Sequence, residues 1–317
     1  MVATTLVGSF PLEYSKANIR RALQDQAELG ITYPVLPQLR DFVYIYLEPL
    51  ITKGVVIPEK RGYVLYRDFE EIEPETPEDI LTASDIAREM GLKYRVPITG
   101  PFTLASKIAL SMDKAGDISG SILTDNHYLD KIVSYVVRLS RNIYREVRGE
   151  VYCIDEPVLA IIIGSRSTMY NLDLEYIRDS IDRVLGQLGG SLRGIHVCGR
   201  LPPLVKPVLL GLRNAEFLDH EHSDFPANRV FYTSEELSVH SKKLAYGVIS
   251  PSKPELEDFR NVLQLAREAK ERYGDSLLFL KPDCGFGGLR GVLNGREYEE
   301  IVLKKIKILV QVAGELA

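Results

Sequence analysis

Cysteine is scarce in this chain, with three in 317 residues. So low and odd a count argues against a disulfide framework and for a reducing compartment. Long apolar runs are also missing; the longest, Val158 to Ile163, is far too short to span a membrane. The opening residues Met1 to Gly8 carry no basic segment and no extended apolar core, so they do not read as a signal peptide. Nor is there an excess of cations. The formal charge is −5, which disfavours nucleic acid as a partner, because binding phosphates needs surplus Lys and Arg. No Gly/Ser linker or low-complexity tract marks a second domain. Tryptophan is absent; with helices rich in Glu, Lys and Arg this has a thermophilic flavour, but it decides nothing about function. The expectation is a soluble, cytoplasmic protein with neither membrane nor nucleic acid as partner.

What is present is a core-forming pattern. Apolar residues make up 45% of the chain and charged residues 26%, enough for a large interior and a solvated surface. Strand-like runs alternate with amphipathic helical stretches from end to end, which favours a parallel sheet of repeated βα units. Eight strand candidates are read: Thr4-Gly8, Ile31-Leu36, Tyr94-Thr99, Val151-Asp155, Leu192-His196, Glu216-His220, Leu244-Ile249 and Leu277-Lys281. Helical patterns fall between them, among them Ser15-Leu29, Pro77-Met90, Asp125-Val147, Leu174-Leu188, Glu255-Tyr273 and Glu297-Val312. Thr76-Pro77-Glu78 reads as a helix cap with proline at the first helical position, and Ser252 to Glu255 as another helix start. Two β-rich runs around Glu59-Lys60-Arg61-Gly62 read as a hairpin, about 55–68, inserted after the second strand unit. The economical fold is one α/β domain over 1–317, a single (β/α)8 TIM barrel with that hairpin insertion.

The C-terminal ends of the strand candidates carry most of the reactive residue types. They end in Gly8-Ser9, Pro37-Gln38, Asp155-Glu156-Pro157, His196-Val197-Cys198, Asp219-His220-Glu221-His222, Ser250-Pro251-Ser252 and Pro282-Asp283-Cys284-Gly285. In a (β/α)8 barrel these ends form one rim, where active sites are built. His196 and Cys198, two apart on a strand, leave on one side, as a zinc site requires. Taken alone, a buried cysteine beside a hydrogen-bonded histidine accounts for the tripeptide equally well. Alternation prefers Glu221 as the next ligand, although His220 or His222 could replace it where the strand end is irregular. Cys284, before Gly285, Gly287 and Gly288, completes the set. One imidazole, two thiolates and one exchangeable carboxylate suit the alkylation of a thiol better than hydrolysis. Cys153, inside an apolar run, reads as core, and His127 and His240 as residues of helix ends.

Val7-Gly8-Ser9-Phe10-Pro11, Ile154-Asp155-Glu156-Pro157, His196-Val197-Cys198-Gly199, Leu218-Asp219-His220-Glu221 and Lys281-Pro282-Asp283-Cys284-Gly285-Phe286-Gly287 together resemble cobalamin-independent methionine synthase. The likeness is to its C-terminal catalytic barrel in the short, archaeal-type form, and it spans almost the whole chain. The resemblance implies a Zn2+ held by His196, Cys198, Glu221 and Cys284. It also implies homocysteine as the thiol, which attacks a methyl group to give methionine. Gly8 and Ser9 match the loop on the homocysteine backbone, and Asp155 the acid that takes its amino group.

The departures from the family pattern bear on the methyl donor. The family's N-terminal barrel has no counterpart, which leaves room for a companion protein. The histidine that protonates the departing folate is replaced near Ser252, in Gly247-Val248-Ile249-Ser250-Pro251-Ser252. A second acidic substrate contact has only Gln38 near its place. The hairpin Tyr63-Val64-Leu65-Tyr66-Arg67 lies in the family's pterin-contacting region without its usual sequence. The expected donor is therefore methylcobalamin, free or on a corrinoid protein, or a modified methyl-pterin. Two other readings stay open: a methyltransferase of the same superfamily acting on another thiol such as coenzyme M, and a non-catalytic zinc-binding accessory subunit.

Overall fold

The structure is a computed structural model that describes residues 2–69, 72–189 and 192–316; Met1 and Ala317, the ends of the expected domain, lie outside the described residues. Strand β1 (Ala3–Thr4) leads to helix α1 (Lys16–Glu28), whose first turn is closed by Ser15 accepting the Asn18 N–H. After segment 31–38 come α2 (Phe42–Thr52), capped by Asp41, and two antiparallel strands, β2 (Val56–Glu59) and β3 (Gly62–Leu65). Then follow α3 (Glu78–Glu89), β4 (Arg95–Thr99), α4 (Pro101–Lys107) and the short β5 (Ile108–Ala109), which extends the β2–β3 pair. The second half runs α5 (Asn126–Val147), β6 (Val151–Asp155), α6 (Leu159–Ile162), α7 (Leu174–Leu185) and β7 (Leu192–Val197). It closes with α8 (Val205–Leu210), β8 (Phe217–His220), α9 (Ser234–Val239), β9 (Lys243–Ile249), α10 (Phe259–Tyr273), β10 (Leu277–Pro282) and α11 (Leu303–Glu315).

Seven of these strands form one curled parallel sheet in the order β1-β10-β9-β8-β7-β6-β4. Within segment 31–38, Ile31–Leu36 was expected to be a strand. It makes isolated parallel bridges instead, Thr5 with Tyr33 on one side and Val35 with Arg95 on the other. The reason lies in its prolines: Pro34 and Pro37 have no N–H to give, so a continuous ladder cannot form. The contacts it does make span the two edge strands of the curled sheet.

Helices and sheet enclose a large apolar layer between them, and a second cluster fills the concave side of the sheet. That inner cluster is Val151, Cys153, Phe217, Ala245 and Phe279, all fully buried. Cys153 is core, as its apolar surroundings in the sequence suggested. Gly194 belongs to the same layer for a steric reason: a Cβ there would overlap the Phe217 ring. Two helix starts differ from expectation. α3 begins at Glu78 with Pro77 in the capping position and no side-chain cap, and the hydroxyl of Thr76 has no partner. α10 begins at Phe259, because the Asp258 carboxylate accepts the N–H groups of Arg260 and Asn261. Among the described residues no helix is long and apolar enough to cross a membrane.

Candidate metal centre

Parallel pairing puts Asp155 beside His196 and His196 beside Asp219 in register. Register partners on neighbouring parallel strands face the same side, so all three side chains enter the space above the inner apolar layer. β7 ends at Val197, and Gly199, with φ +78, turns the chain away just after Cys198. Only glycine adopts that backbone conformation without strain. Cys284 arrives from the end of β10. Its loop is pressed against Ser9: Phe286 donates its N–H to the Ser9 carbonyl over 2.8 Å, and Gly285 leaves space that a Cβ would take from the Ser9 hydroxyl.

His196 Nε2, Cys198 Sγ and Cys284 Sγ lie within 4.8 Å of one another. The imidazole Nε2 is 2.9 Å from Cys198 Sγ, and the two sulfurs are 3.4 Å apart. The other ring nitrogen, Nδ1, is 2.7 Å from Asp219 Oδ1. Burial by itself would lower the His196 pKa; the Asp219 carboxylate and Cys284 outweigh it and raise it to about 10. The cysteines respond to each other in opposite directions. Cys284 is drawn well below the ordinary thiol range by the Cys198 thiol and by His196, whereas Cys198 is driven up by Cys284 and by burial. The cluster thus favours one thiolate before any ion is considered.

Glu221 follows β8 and is buried, but it lies outside the group of three whose ligand atoms converge. Burial and the Cys284 sulfur raise its carboxyl pKa. Its neighbours are engaged elsewhere. His220 reaches the Val197 carbonyl through Nδ1 and the Tyr232 hydroxyl through Nε2, both at 3.2 Å. His222 accepts the Gly247 N–H at Nδ1 and stacks on Tyr246 with ring centres 3.7 Å apart. Burial holds both imidazoles neutral, His220 down to about 3.

Gly8 and Gln38 are joined through the backbone, the Gln38 N–H giving 2.7 Å to the Gly8 carbonyl. The Gln38 side chain occupies the place of a Cβ on residue 8, and its buried Nε2 has no partner. Ser9 and Gln38, with Phe42, Gly287 and Arg290, line a cavity of about 330 Å³. Asp155 is 5% exposed, and its Oδ1 is likewise unpartnered. Burial lifts its pKa to about 6 against the pull of His196 and Arg95. Around Ser252, the Ser250 and Ser252 hydroxyls both donate to Asp224, which also pairs with Lys253 over 2.8 Å.

Sequence reasoning passed over several residues here. Arg95, Asp219 and Lys281 sit fully buried at inward positions of apolar strands, and a charge in such a register was the available signal. Glu156 and Asp283 act on backbone. Glu156 accepts the N–H groups of Phe102 and Thr103 at the start of α4, and Asp283 accepts those of His222, Ser223 and Asp224.

The donor set fits zinc. Two sulfurs and one imidazole nitrogen converge, and the imidazole is steadied by a carboxylate on its far nitrogen, the arrangement that orients zinc-bound histidine.

No family model matches the chain. The methionine synthase of Methanothermobacter marburgensis is 21% identical over 319 residues, covering 98% of this chain and 92% of that protein. The methionine synthase of Pyrococcus horikoshii is 24% identical over 198 residues, which is 60% of this chain and only half of the relative. Among solved structures, the B12-independent methionine synthase of a Shewanella species, in complex with selenomethionine, superposes with a TM-score of 0.70 at 13% identity. That superposition covers 100% of this chain and 97% of the other. The resemblance to methionine synthases, expected from the motifs, holds in sequence and in fold.

Proposed function

We propose that this chain, resembling the methionine synthases and carrying a zinc-type donor cluster, is a methyltransferase that methylates the thiol of L-homocysteine. The observation that carries the reading is the convergence of His196 Nε2, Cys198 Sγ and Cys284 Sγ beside an unpartnered Asp155 oxygen. His196, Cys198 and Cys284 would hold Zn2+, with Glu221 as the fourth, exchangeable ligand. Zinc bound by two thiolates lowers the pKa of an incoming thiol while leaving its sulfur electron-rich enough to attack carbon.

The chain's own residues supply the rest. Asp155 takes the substrate ammonium, a charge-assisted contact that fixes the direction of the thiol. Gly8 and Ser9 present backbone to the amino-acid end, and the Gln38 amide is the nearest further polar group. Glu156 holds the start of α4, and Asp283 holds the His222–Asp224 segment that follows Glu221. The sulfur attacks the methyl carbon, the bond from carbon to the donor breaks with its electron pair leaving on the donor, and methionine forms. Ser252 stands where the resemblance places a histidine, and the hydroxyls and the Lys253 ammonium there are engaged by Asp224, which suits a leaving group that needs no proton. The donor is therefore read as methylcobalamin, free or on a corrinoid protein, with a modified methyl-pterin as the other option. A companion protein belongs to the same reading, as do a cytoplasmic location and a single domain over 1–317. So does a full (β/α)8 barrel, with segment 31–38 as the second stave and the β2–β3 hairpin inserted after it.

The test is optical: demethylation of methylcobalamin by zinc-loaded protein with homocysteine, then with coenzyme M. Turnover with homocysteine that vanishes in Cys284→Ser supports the reading. Turnover with coenzyme M alone overturns the acceptor, since that thiol has no ammonium for Asp155. A zinc that takes up no thiol makes the chain an accessory subunit.

A further inference from the structure

Three charged side chains without a part in the proposed reaction meet inside the curled sheet. Arg95 begins β4, Lys281 stands near the end of β10, and Asp219 lies between them on β8; all three have no exposed surface. Arg95 Nη1 is 2.8 Å from Asp219 Oδ2, and Lys281 Nζ is 2.8 Å from Asp219 Oδ1. The same Oδ1 faces His196 Nδ1 at 2.7 Å. Lys281 also donates to the carbonyls of Pro282 and Asp283, at the loop that carries Cys284. Among the described residues none of the three Arg95 guanidinium nitrogens has a hydrogen-bond partner, so the ion pair with Asp219 is what holds the group.

Packing does not explain this arrangement. Branched aliphatic residues fill such interiors at no cost in desolvation, whereas buried charges are heavily penalised and often replaceable by apolar side chains. The geometry does have a directional consequence. With a cation on each side, Asp219 offers both oxygens only as acceptors, so His196 must donate from Nδ1. Nε2 is then the nitrogen turned to the space shared with Cys198 and Cys284, and its proton is the one a metal ion would displace.

We infer that Arg95 and Lys281 are positioning residues: acting through Asp219, they fix the tautomer and orientation of His196 for metal binding. The inference rests on the zinc reading, and its test separates the two. Zinc affinity is measured by competition with a chromophoric chelator for the wild type, Arg95→Met, Lys281→Met and Arg95→Lys. The d–d bands of the Co2+-substituted proteins are recorded alongside. Loss of such supporting groups lowers metal affinity about 10–100-fold, so that loss is expected in both Met variants, with altered Co2+ bands and partial recovery in Arg95→Lys. Folded Met variants with wild-type zinc affinity and unchanged Co2+ bands overturn the inference and leave the zinc reading standing. A wild type that takes up no zinc overturns both.

One readout needs no variant. In long-range 1H–15N spectra of the zinc-loaded wild type, the His196 proton is expected on Nδ1. A proton on Nε2, with Nδ1 toward the metal, overturns the inference even if every variant misfolds.

Discussion

Glu156 Oε2 accepts both the backbone N–H of Thr103, at 2.8 Å, and its hydroxyl, at 2.6 Å. With Phe102 N–H on Oε1 at 2.9 Å, the carboxyl of β6's neighbour closes the first turn of α4, as a local capping side chain would. Gly100 permits it, because a Cβ there would collide with the Glu156 carboxyl. A helix start is thus satisfied by a residue more than fifty positions away in sequence.

This contact has a pH signature. Burial raises the Glu156 pKa from 4.5 to about 7, against the pull of its hydrogen bonds. The folded state therefore keeps a proton that the unfolded state loses near 4.5. Stability from this group falls as pH rises through that window, by about 3 kcal/mol at 1.36 kcal/mol per unit. Glu156→Gln keeps the shape but does not titrate. Denaturant unfolding at pH 5 and pH 8 should find the variant less stable at pH 5, where Gln places an amide N–H against a donor, with the deficit shrinking or reversing at pH 8. Parallel pH profiles for the two proteins would remove the assignment.

Gly194 and Phe217 form a second dependent pair. The ring fills the position a Cβ on residue 194 would need, inside a fully buried layer. Gly194→Ala should cost about 1–3 kcal/mol, the usual range for an extra methyl in a packed core. Phe217→Leu also costs stability by itself, but it removes the colliding ring atoms. The double variant should then be more stable than the sum of the two losses predicts. Additive losses in chemical unfolding would show that the backbone, not the ring, yields.

The sequence made the βα alternation, the rim and the Cys/His cluster legible, because each rests on local spacing: His196 and Cys198 two positions apart, a glycine-rich turn after Cys284. Ile31–Leu36 read as a strand on its apolar content, yet Pro34, with Pro37 just beyond, decides its hydrogen bonding. Asp258 took the start of α10 from Glu255 because two backbone N–H groups reach its carboxylate. The Asp219 ion pairs were hidden for another reason: Arg95 lies 124 positions away in sequence, and only closure of the sheet brings it near. Glu156 and Asp283 could be noticed as acids but not told apart from Asp155, since their partners are backbone groups of other loops.

The ligand question for the histidines has a direct answer. His220 and His222 are held by Val197, Tyr232, Gly247 and Tyr246, away from the sulfurs. Zinc content after dialysis should therefore stay near one per chain in His222→Ala, which loses stability instead. Cys284→Ser should lose the metal. Glu221→Ala should keep it with weaker affinity, because three donors remain. Stoichiometric zinc in Cys284→Ser, by atomic absorption, would place the metal elsewhere.

On the proposed reading, Asp155 is the group that would tell homocysteine from thiols without an amino group. Its Oδ1 has no partner among the described residues, so a cation brought by the substrate would meet a carboxylate already desolvated. Charged hydrogen bonds of this kind contribute about 1.5–3 kcal/mol, which corresponds to about 10–150-fold in affinity. Asp155→Asn should raise KM for homocysteine by that order while zinc content stays at the wild-type level. With 4-mercaptobutyrate, which is homocysteine without its ammonium, wild type and variant should be alike. An equal loss with both thiols would make Asp155 a support of the metal cluster and not a substrate contact, since the two differ in the group Asp155 is proposed to hold.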